Sequence, residues 1–239
     1  TGAGCQALYQ FNNTATDTCG SYDGTATSIT YTNGVFNNNP AAVFNGGTIG
    51  SGGSYIELAN SANIGNAASA LTISAWAKFD NLNTQNFIIY RDDSSVQNQQ
   101  GIYDYGNGNI YFQPENLNNG NFGYVSNSGL YTTGEWVHIV MVFDGNGTGN
   151  SGRLKAYING NQVTLTYNNT IPSTTGATTT PLRIGGRQNG QVSFSGNIDQ
   201  LRIFNTALTQ SQVTELVRGY YDTTASNVTY VKPGYTGRN

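Results

Sequence analysis

Residues 195–204 read Ser-Gly-Asn-Ile-Asp-Gln-Leu-Arg-Ile-Phe, and residues 182–187 read Leu-Arg-Ile-Gly-Gly-Arg. Both stretches predict β-strands, and the chain between them predicts a loop rich in glycine. Period-two alternation places Asp199 on the same face as Leu201 and Ile203, which we expect to face the core. Since an unpaired buried charge is very costly, we expect Asp199 to meet backbone N–H groups, a cation or a metal ion.

A short helix is predicted directly after this stretch. Thr209 and Gln212 fit a capping box, with Leu208 and Val213 placed as the hydrophobic staple around it. Gly219 suits the position just beyond the helix end. We therefore expect one short C-terminal helix of roughly ten residues, and few or no others.

Strand signals recur through the rest of the chain. Residues 71–79 alternate so that one face of the strand is apolar. Residues 136–143 are apolar on both faces, which predicts a central strand covered on both sides. The dipeptide Asn159-Gly160, between residues 153–158 and 162–167, predicts a two-residue hairpin. Many short strands with one helix predict an all-β fold in which two antiparallel sheets form a sandwich.

The composition limits the classes of function. Only 10% of the residues are charged, so the polar surface must consist of Asn, Thr, Ser, Gln and Gly. Such surfaces are common on extracellular proteins and virus particles. The net charge of -3 and the lack of a Lys and Arg cluster argue against nucleic-acid binding. The sequence has no apolar run of about eighteen residues, so membrane insertion is not expected.

The two cysteines, Cys5 and Cys19, flank an alternating first strand and a turn rich in Asn, Thr and Asp. A disulfide between them would close a short loop and contribute roughly 3 kcal/mol by the chain-entropy estimate. It would also indicate an oxidising or extracellular setting. The alternatives are two free thiols or pairing with another chain.

Five motifs resemble one family, and they occur in that family's order. Residues 195–209 are similar to the closing motif of laminin-G-like domains in the concanavalin A-like lectin/glucanase superfamily, and the other similar segments are residues 7–20, 72–76, 134–139 and 154–160. The resemblance covers roughly residues 5–218. It implies a jelly-roll form of the sandwich. The family's functions range over glycan binding, protein adhesion and surface display, so the fold alone does not choose among them.

The resemblance also leads to a candidate calcium site. Asp17 lies in the opening motif, Asp23 follows it, and the first and last strands of such sandwiches are often neighbours. We therefore expect both residues to lie near Asp199. Calcium prefers carboxylate and carbonyl oxygens, so these three aspartates predict one structural Ca2+ site. The alternative is that Asp17 and Asp23 are turn residues that hydrogen-bond their own backbone.

Two loop regions are candidates for binding a sugar. Residues 91–111 and the loop that begins at Arg187 offer hydrogen-bonding groups and rings that can stack on apolar sugar faces. The candidate ligand-binding residues are Asp92, Asp93, Tyr103, Asp104, Tyr105, Arg187 and Asn189, with Gln99, Gln100 and Tyr111 nearby. The alternative is that the tyrosines are ordinary cross-strand pairs on a half-exposed sheet.

The sequence argues against an enzyme. Retaining glucanases need paired carboxylates about 5 Å apart, and this chain has no Glu-x-Asp-x-Glu cluster. His138 is the only histidine, and it lies in the most apolar predicted strand, near Glu135. One interpretation is that it assists a nucleophile. A lone histidine in a strand is far more often structural, so we assign no catalytic residue.

These observations predict one laminin-G-like sandwich over residues 1–219 and a tyrosine-rich extension over residues 220–239, which we expect to contact a neighbouring subunit or domain. We predict a non-catalytic, lectin-like recognition or adhesion module displayed on a surface, with a virion of a bacterial virus as the leading setting. Its expected partner is a glycan or a surface protein. The alternatives are a purely architectural decoration or fibre subunit and an accessory carbohydrate-binding module of a larger secreted hydrolase.

Four Asn-x-Ser/Thr sequons are present, and they matter only in a host that glycosylates secreted proteins. They start at Asn12, Asn146, Asn168 and Asn227.

Overall fold

The computed structural model describes residues 4–36, 39–92, 98–114, 120–187 and 192–219. The strands are β1 (Cys5–Tyr9), β2 (Gly24–Thr27), β3 (Thr30–Asn33), β4 (Pro40–Asn45), β5 (Tyr55–Leu58), β6 (Ala70–Phe79), β7 (Asn86–Arg91), β8 (Gln100–Asp104), β9 (Asn109–Pro114), β10 (Phe122–Ser126), β11 (Trp136–Asp144), β12 (Leu154–Ile158), β13 (Asn161–Val163), β14 (Thr166–Asn168), β15 (Arg183–Ile184) and β16 (Ser195–Phe204). The helices are α1 (Gly149–Arg153) and α2 (Gln210–Val217), with one 3-10 turn at Ser61–Asn63. The predicted extension, residues 220–239, lies outside the described residues.

The strands form two antiparallel sheets that enclose one large apolar core, which confirms the predicted fold class. One sheet has the order β13-β12-β11-β6-β16-β4-β3, with β1 also paired to β16. We call it the helix sheet, because α2 packs on its outer face. The other has the order β14-β10-β9-β8-β7-β15-β5-β2. We call it the tyrosine sheet.

Strand alternation builds the core. In β6 the side chains of Leu71 and Phe79 face inward and are fully buried, as the sequence predicts. β11 lies between β12 and β6, and both of its faces are covered, because Ile139 lies in the core while Val140 and Val142 lie under α2. Fully burying each such side chain contributes about 1.5–3 kcal/mol.

The helix α2 begins and ends as predicted. The hydroxyl of Thr209 accepts a hydrogen bond from the N–H of Gln212, whose side chain accepts one from the N–H of Thr209. Val213 and Leu216 are buried against the helix sheet. Gly219, with φ 76°, terminates the helix. Neither α-helix in the described residues is long and apolar enough to cross a membrane.

The prediction that Asp199 shares a face with Leu201 is wrong. Asp199 pairs with Trp76 and Arg202 pairs with Ser74, so two residues of β16 stand opposite one residue of β6. This β-bulge reverses the alternation. Leu201 therefore faces the core, while Asp199 faces outward, beside Trp76.

Asp199 is nevertheless fully buried. Its carboxylate accepts hydrogen bonds from the backbone N–H groups of Val35, at 2.9 Å, and Gln200, at 2.7 Å. Gln200 has φ 47°, which belongs to the bulge. The expectation that backbone N–H groups would meet this carboxylate is therefore confirmed.

The chain changes sheets directly after the predicted hairpin. Asn159, with φ 51°, and Gly160, with φ 81°, form the two-residue turn between β12 and β13. Residues 162–167, predicted as one strand, divide between β13 in the helix sheet and β14 in the tyrosine sheet. The chain crosses from the helix sheet to the tyrosine sheet at Leu165, whose side chain is buried in the core.

Cys5 and Cys19 form a disulfide, with their Cα atoms 6.2 Å apart. The predicted intrachain pairing is confirmed, and the alternatives of free thiols or an interchain bond are wrong for this structure. The bond ties the start of β1 to the turn that contains Asp17.

Candidate functional site

A row of aromatic rings crosses the outer face of the tyrosine sheet. Phe87, Tyr103, Tyr111 and Tyr124 are successive cross-strand partners on β7, β8, β9 and β10. Their neighbouring ring centroids are 5.6, 5.1 and 5.6 Å apart along the row. Strand register, not sequence proximity, places these rings side by side.

One end of the aromatic row is more open than the other. Phe87 and Tyr103 are buried, whereas Tyr111 and Tyr124 are half-buried. Tyr105 and Phe122 are also half-buried, and their rings stand at 76° and 70° to that of Tyr111. The half-exposed rings therefore form an aromatic surface at β9 and β10.

A chain of side-chain hydrogen bonds begins at Tyr103, at the buried end of this row. The hydroxyl of Tyr103 donates to Oε1 of Gln113 at 2.7 Å, and Nε2 of Gln113 donates to Oε1 of Gln99 at 3.2 Å. Nε2 of Gln99 then donates to Oδ1 of Asp92 at 3.1 Å, and Nε of Arg187 donates to Oδ2 of Asp92 at 2.5 Å. We call these five side chains the polar relay.

The ion pair at the end of the polar relay lies near two buried rings, Phe87 of the aromatic row and its neighbour Tyr90. The Arg187 guanidinium carbon lies 5.9 Å from the ring centroids of both Phe87 and Tyr90, within cation–π range. The side chains of Arg187 and Asp92 are only 17% and 4% exposed. Burial by itself lowers the pKa of Arg187, but its hydrogen bond to Asp92 and the Asp92 charge outweigh that and raise the pKa.

The structure brings Asp92, Tyr103, Tyr105 and Arg187 together, but it does not bring Asp104 to them. Because side chains alternate along β8, Asp104 points to the opposite side of the sheet from Tyr103. Its carboxylate accepts hydrogen bonds from the Gly106 N–H, at 2.6 Å, and the Tyr131 hydroxyl, at 3.3 Å. Burial raises the pKa of Asp104 to about 6. Asp104 therefore belongs to the interior rather than to this face.

Two further predicted residues, Asp93 and Asn189, lie outside the described residues. Among the residues of the face that the sequence reasoning missed are Phe87, Tyr90, Gln113, Phe122 and Tyr124. Alternation in β7, β9 and β10 indicates which of their side chains share a face, but only strand pairing shows that the three strands are neighbours.

The three aspartates of the predicted calcium site all accept hydrogen bonds from backbone N–H groups. The carboxylate of Asp17 accepts four backbone N–H hydrogen bonds, from Leu8, Cys19, Gly20 and Tyr22. Oδ1 of Asp23 accepts one from the N–H of Asp17. The carboxylate of Asp199 accepts from the N–H groups of Val35 and Gln200. These N–H groups occupy lone pairs that a cation would need.

Within the described ranges, no group of three or more His, Cys, Asp or Glu side chains could hold a metal ion. Asp17, Asp23 and Asp199 therefore do not form the single cluster that the sequence suggested. The turn interpretation of Asp17 agrees with its four N–H partners. Calcium binding itself stays a prediction, and an unchanged melting temperature on chelation would contradict it.

His138 lies in a closed environment. Its Nε2 is 2.8 Å from Oγ of Ser74, and both residues are 1% exposed. Burial and the charge of Arg202 lower the pKa of His138 to about 3, so the ring is neutral at ordinary pH. Its ring also packs against Trp76, with centroids 5.1 Å apart. A substrate has no access to this pair in the folded state.

The sequence matches the family model Laminin_G_3, described as the concanavalin A-like lectin/glucanases superfamily, over residues 50–214. No curated protein matches the sequence significantly.

Several solved structures share the fold. Domain 4 of AbnA, a GH43 extracellular arabinanase from Geobacillus stearothermophilus, has a TM-score of 0.63 and 25% identity, covering 91% of this chain and 100% of that domain. The binding domain of Paraclostridial Mosquitocidal Protein 1 has a TM-score of 0.63 and 18% identity, covering 91% of this chain and 52% of that one. The binding domain of botulinum neurotoxin DC has a TM-score of 0.61 and 15% identity, covering 91% and 51%. The chain thus spans about half the length of these two toxin binding domains.

Proposed function

We propose that this chain, which belongs to the concanavalin A-like lectin/glucanase superfamily, is a glycan-binding module that uses the outer face of the tyrosine sheet. The observation that carries this proposal is the polar relay lying beside half-exposed aromatic rings. Sugars present hydroxyl groups around their edges and C–H groups on their faces, so they bind where hydrogen-bonding groups adjoin aromatic rings.

The ligands of similar structures support this class of partner. Domain 4 of AbnA was solved in complex with arabinotriose. The botulinum neurotoxin DC binding domain was solved with SialylT and, separately, with rat synaptotagmin II. A glycan is the partner we propose for this chain, and a surface protein is the alternative.

We further infer that the module binds without catalysis. The described acidic side chains on this face, Asp92 and Glu57, each form an ion pair with an arginine. A retaining glycosidase instead needs two carboxyl groups about 5 Å apart that flank the scissile bond. The paired acids therefore favour recognition over hydrolysis.

A glycan array followed by calorimetry tests the proposal. Tyr111→Ala removes the central half-exposed ring, and we expect it to weaken binding at least about tenfold, since stacked aromatic anchors dominate such sites. Tyr31→Ala is the matched control, because Tyr31 is a half-buried tyrosine on β3 at the edge of the other sheet. Equal losses in both variants, or no specific binding by the wild-type chain, would contradict the proposal. The second result would favour a purely architectural subunit.

A second candidate is an accessory module of a larger secreted hydrolase. It is favoured by the full coverage of domain 4 of AbnA, which is one domain of an extracellular enzyme. The parent reading frame would test it, because a neighbouring catalytic domain is required.

The setting we propose is secreted or surface-displayed, and the disulfide supports it. Display on a virion, with residues 220–239 joining the module to a particle or to another copy, stays a prediction from composition. Light scattering of a chain that ends at residue 219 tests the second part, because unchanged assembly would remove it.

A further inference from the structure

Each of the two described arginines on the outer face of the tyrosine sheet forms an ion pair with an acidic side chain. Arg183 holds Oε2 of Glu57 through Nε at 2.9 Å and Nη2 at 2.8 Å, and its guanidinium lies 4.5 Å from the ring centroid of Tyr55. Arg187 holds Asp92 through Nε. The described face therefore has two positive and two negative charges, and its net charge is zero.

From this pairing we propose that Asp92 makes the face selective for uncharged glycans, because it neutralises the arginine that would otherwise bind an acidic sugar. The inference rests on the proposed function. It names the class of ligand and the residue that determines it.

The geometry gives the reason. A carboxylate, sulfate or phosphate on a ligand would have to approach Arg187 while Asp92 stays in contact with the same guanidinium. The second anion would then meet a like charge at short range, beside a carboxylate whose side chain is only 4% exposed, which disfavours the wrong partner. Asp92 is also fixed from its other side, because Gln99 donates to its Oδ1. It therefore cannot turn away from Arg187 without losing the polar relay.

Uncharged hydroxyl groups remain the ligand chemistry that suits the Gln and Tyr side chains of the described face.

The test is an array of matched pairs, in which each neutral glycan is printed beside its sialylated and sulfated counterparts and oligogalactosides are printed beside oligogalacturonides. We expect the neutral member of each bound pair to bind at least about tenfold more tightly. Calorimetry should show less than about a twofold change in Kd between about 0.05 and about 0.5 M NaCl, a range over which the Debye length falls roughly threefold. The reason is that every described charge on the face is already paired. Equal or tighter binding of the acidic members would overturn this inference alone. Binding of neither member would overturn the proposed function as well.

Asp92→Asn tests the residue itself. The amide has nearly the same shape but leaves the charge of Arg187 unmatched, so acidic glycans should gain at least about fivefold in affinity, and that gain should disappear at high salt. Glu215→Gln is the matched control. It makes the same change in net charge on α2, on the far side of the sandwich, where Glu215 contacts only Arg218 at 4.0 Å among described ion pairs. A gain in both variants, or in neither, would show that Asp92 does not determine selectivity.

Discussion

The carboxylate of Asp199 accepts a 2.9 Å hydrogen bond from the backbone N–H of Val35, which lies 164 residues earlier in the chain. The bond joins the bulge of β16 to the segment that follows β3. Phe36, the next residue, packs edge-on against Trp76, with ring centroids 6.1 Å apart. This segment helps to bury a carboxylate on the outer face of the helix sheet. Burial raises the pKa of Asp199 to about 7, although its backbone hydrogen bonds and Arg202 oppose the rise.

Stability should therefore fall as the pH rises. Asp199 has an ordinary pKa of 3.8 when unfolded and about 7 when folded, so between these values the folded state binds more protons. The contribution of Asp199 to the free energy of unfolding is therefore largest below about pH 4, and it is lost as the pH rises through about 7. Asp104, whose pKa is raised to about 6, acts in the same direction, whereas His138, whose pKa is lowered to about 3, opposes part of the fall below about pH 6.5. Urea unfolding at several pH values measures the effect, and Asp199→Asn should flatten it. An unchanged pH dependence in this variant would contradict the assignment to Asp199.

Gly34 is required where Asp199 meets this segment. A Cβ at Gly34 would lie 2.4 Å from Oδ2 of Asp199 and 2.5 Å from the carbonyl oxygen of Asn39. Gly34→Ala should therefore lower the free energy of unfolding by about 1–3 kcal/mol through overpacking. Gly152→Ala is the control, because its nearest contact would be 3.3 Å. Equal effects of the two substitutions on chemical unfolding would disprove the steric argument.

Arg91 fills part of the interior of the sandwich, where its Nε and Nη1 atoms have no hydrogen-bond partner among the described residues. It is 1% exposed, and its Nη2 donates to the carbonyl oxygens of Ser61, at 2.8 Å, and Ile64, at 2.7 Å. Burial lowers its pKa to about 10. Arg91→Ala removes both bonds and leaves a cavity, so it should cost about 3–5 kcal/mol. Arg218→Ala, at an exposed ion pair, should change stability by less than about 0.5 kcal/mol. Thermal denaturation compares them, and a small loss for Arg91→Ala would show that the carbonyl contacts contribute little.

The disulfide should stabilise the fold by roughly 3 kcal/mol, because it closes a short loop in the unfolded chain. A reducing agent should lower the melting temperature of the wild-type chain. The variant with both Cys5→Ser and Cys19→Ser should melt at the reduced value whether or not the agent is present. A wild-type chain that melts at the same temperature in both states would refute this contribution.

Local signals were sufficient where neighbouring residues determine the conformation. Thr209 and Gln212 are three residues apart and cap α2 through their own backbone, so the motif alone predicts the helix start. Asn159-Gly160 predicts its turn, because these residues tolerate positive φ. The alternation of residues 71–79 identifies one core face of β6 in the same way.

Other features depended on residues far apart in the chain. The face of Asp199 is decided by a bulge against β6, and the split of residues 162–167 is decided by which sheet each half joins. The candidate site has the same origin, because Arg187 and Asp92 are 95 residues apart, and the pairing of separate strands aligns Tyr103 with Tyr111.

The sequence by itself determined the sandwich class, the capped helix, the hairpin and several residues of the candidate site, because short-range backbone preferences and apolar periodicity encode them. Only the tertiary structure decided the bulge, the backbone hydrogen bonds that the carboxylates of Asp17 and Asp199 accept, and the ion pair between Arg187 and Asp92. The physical reason is that strand register and charge pairing arise when distant segments meet, and no local pattern specifies which segments those are.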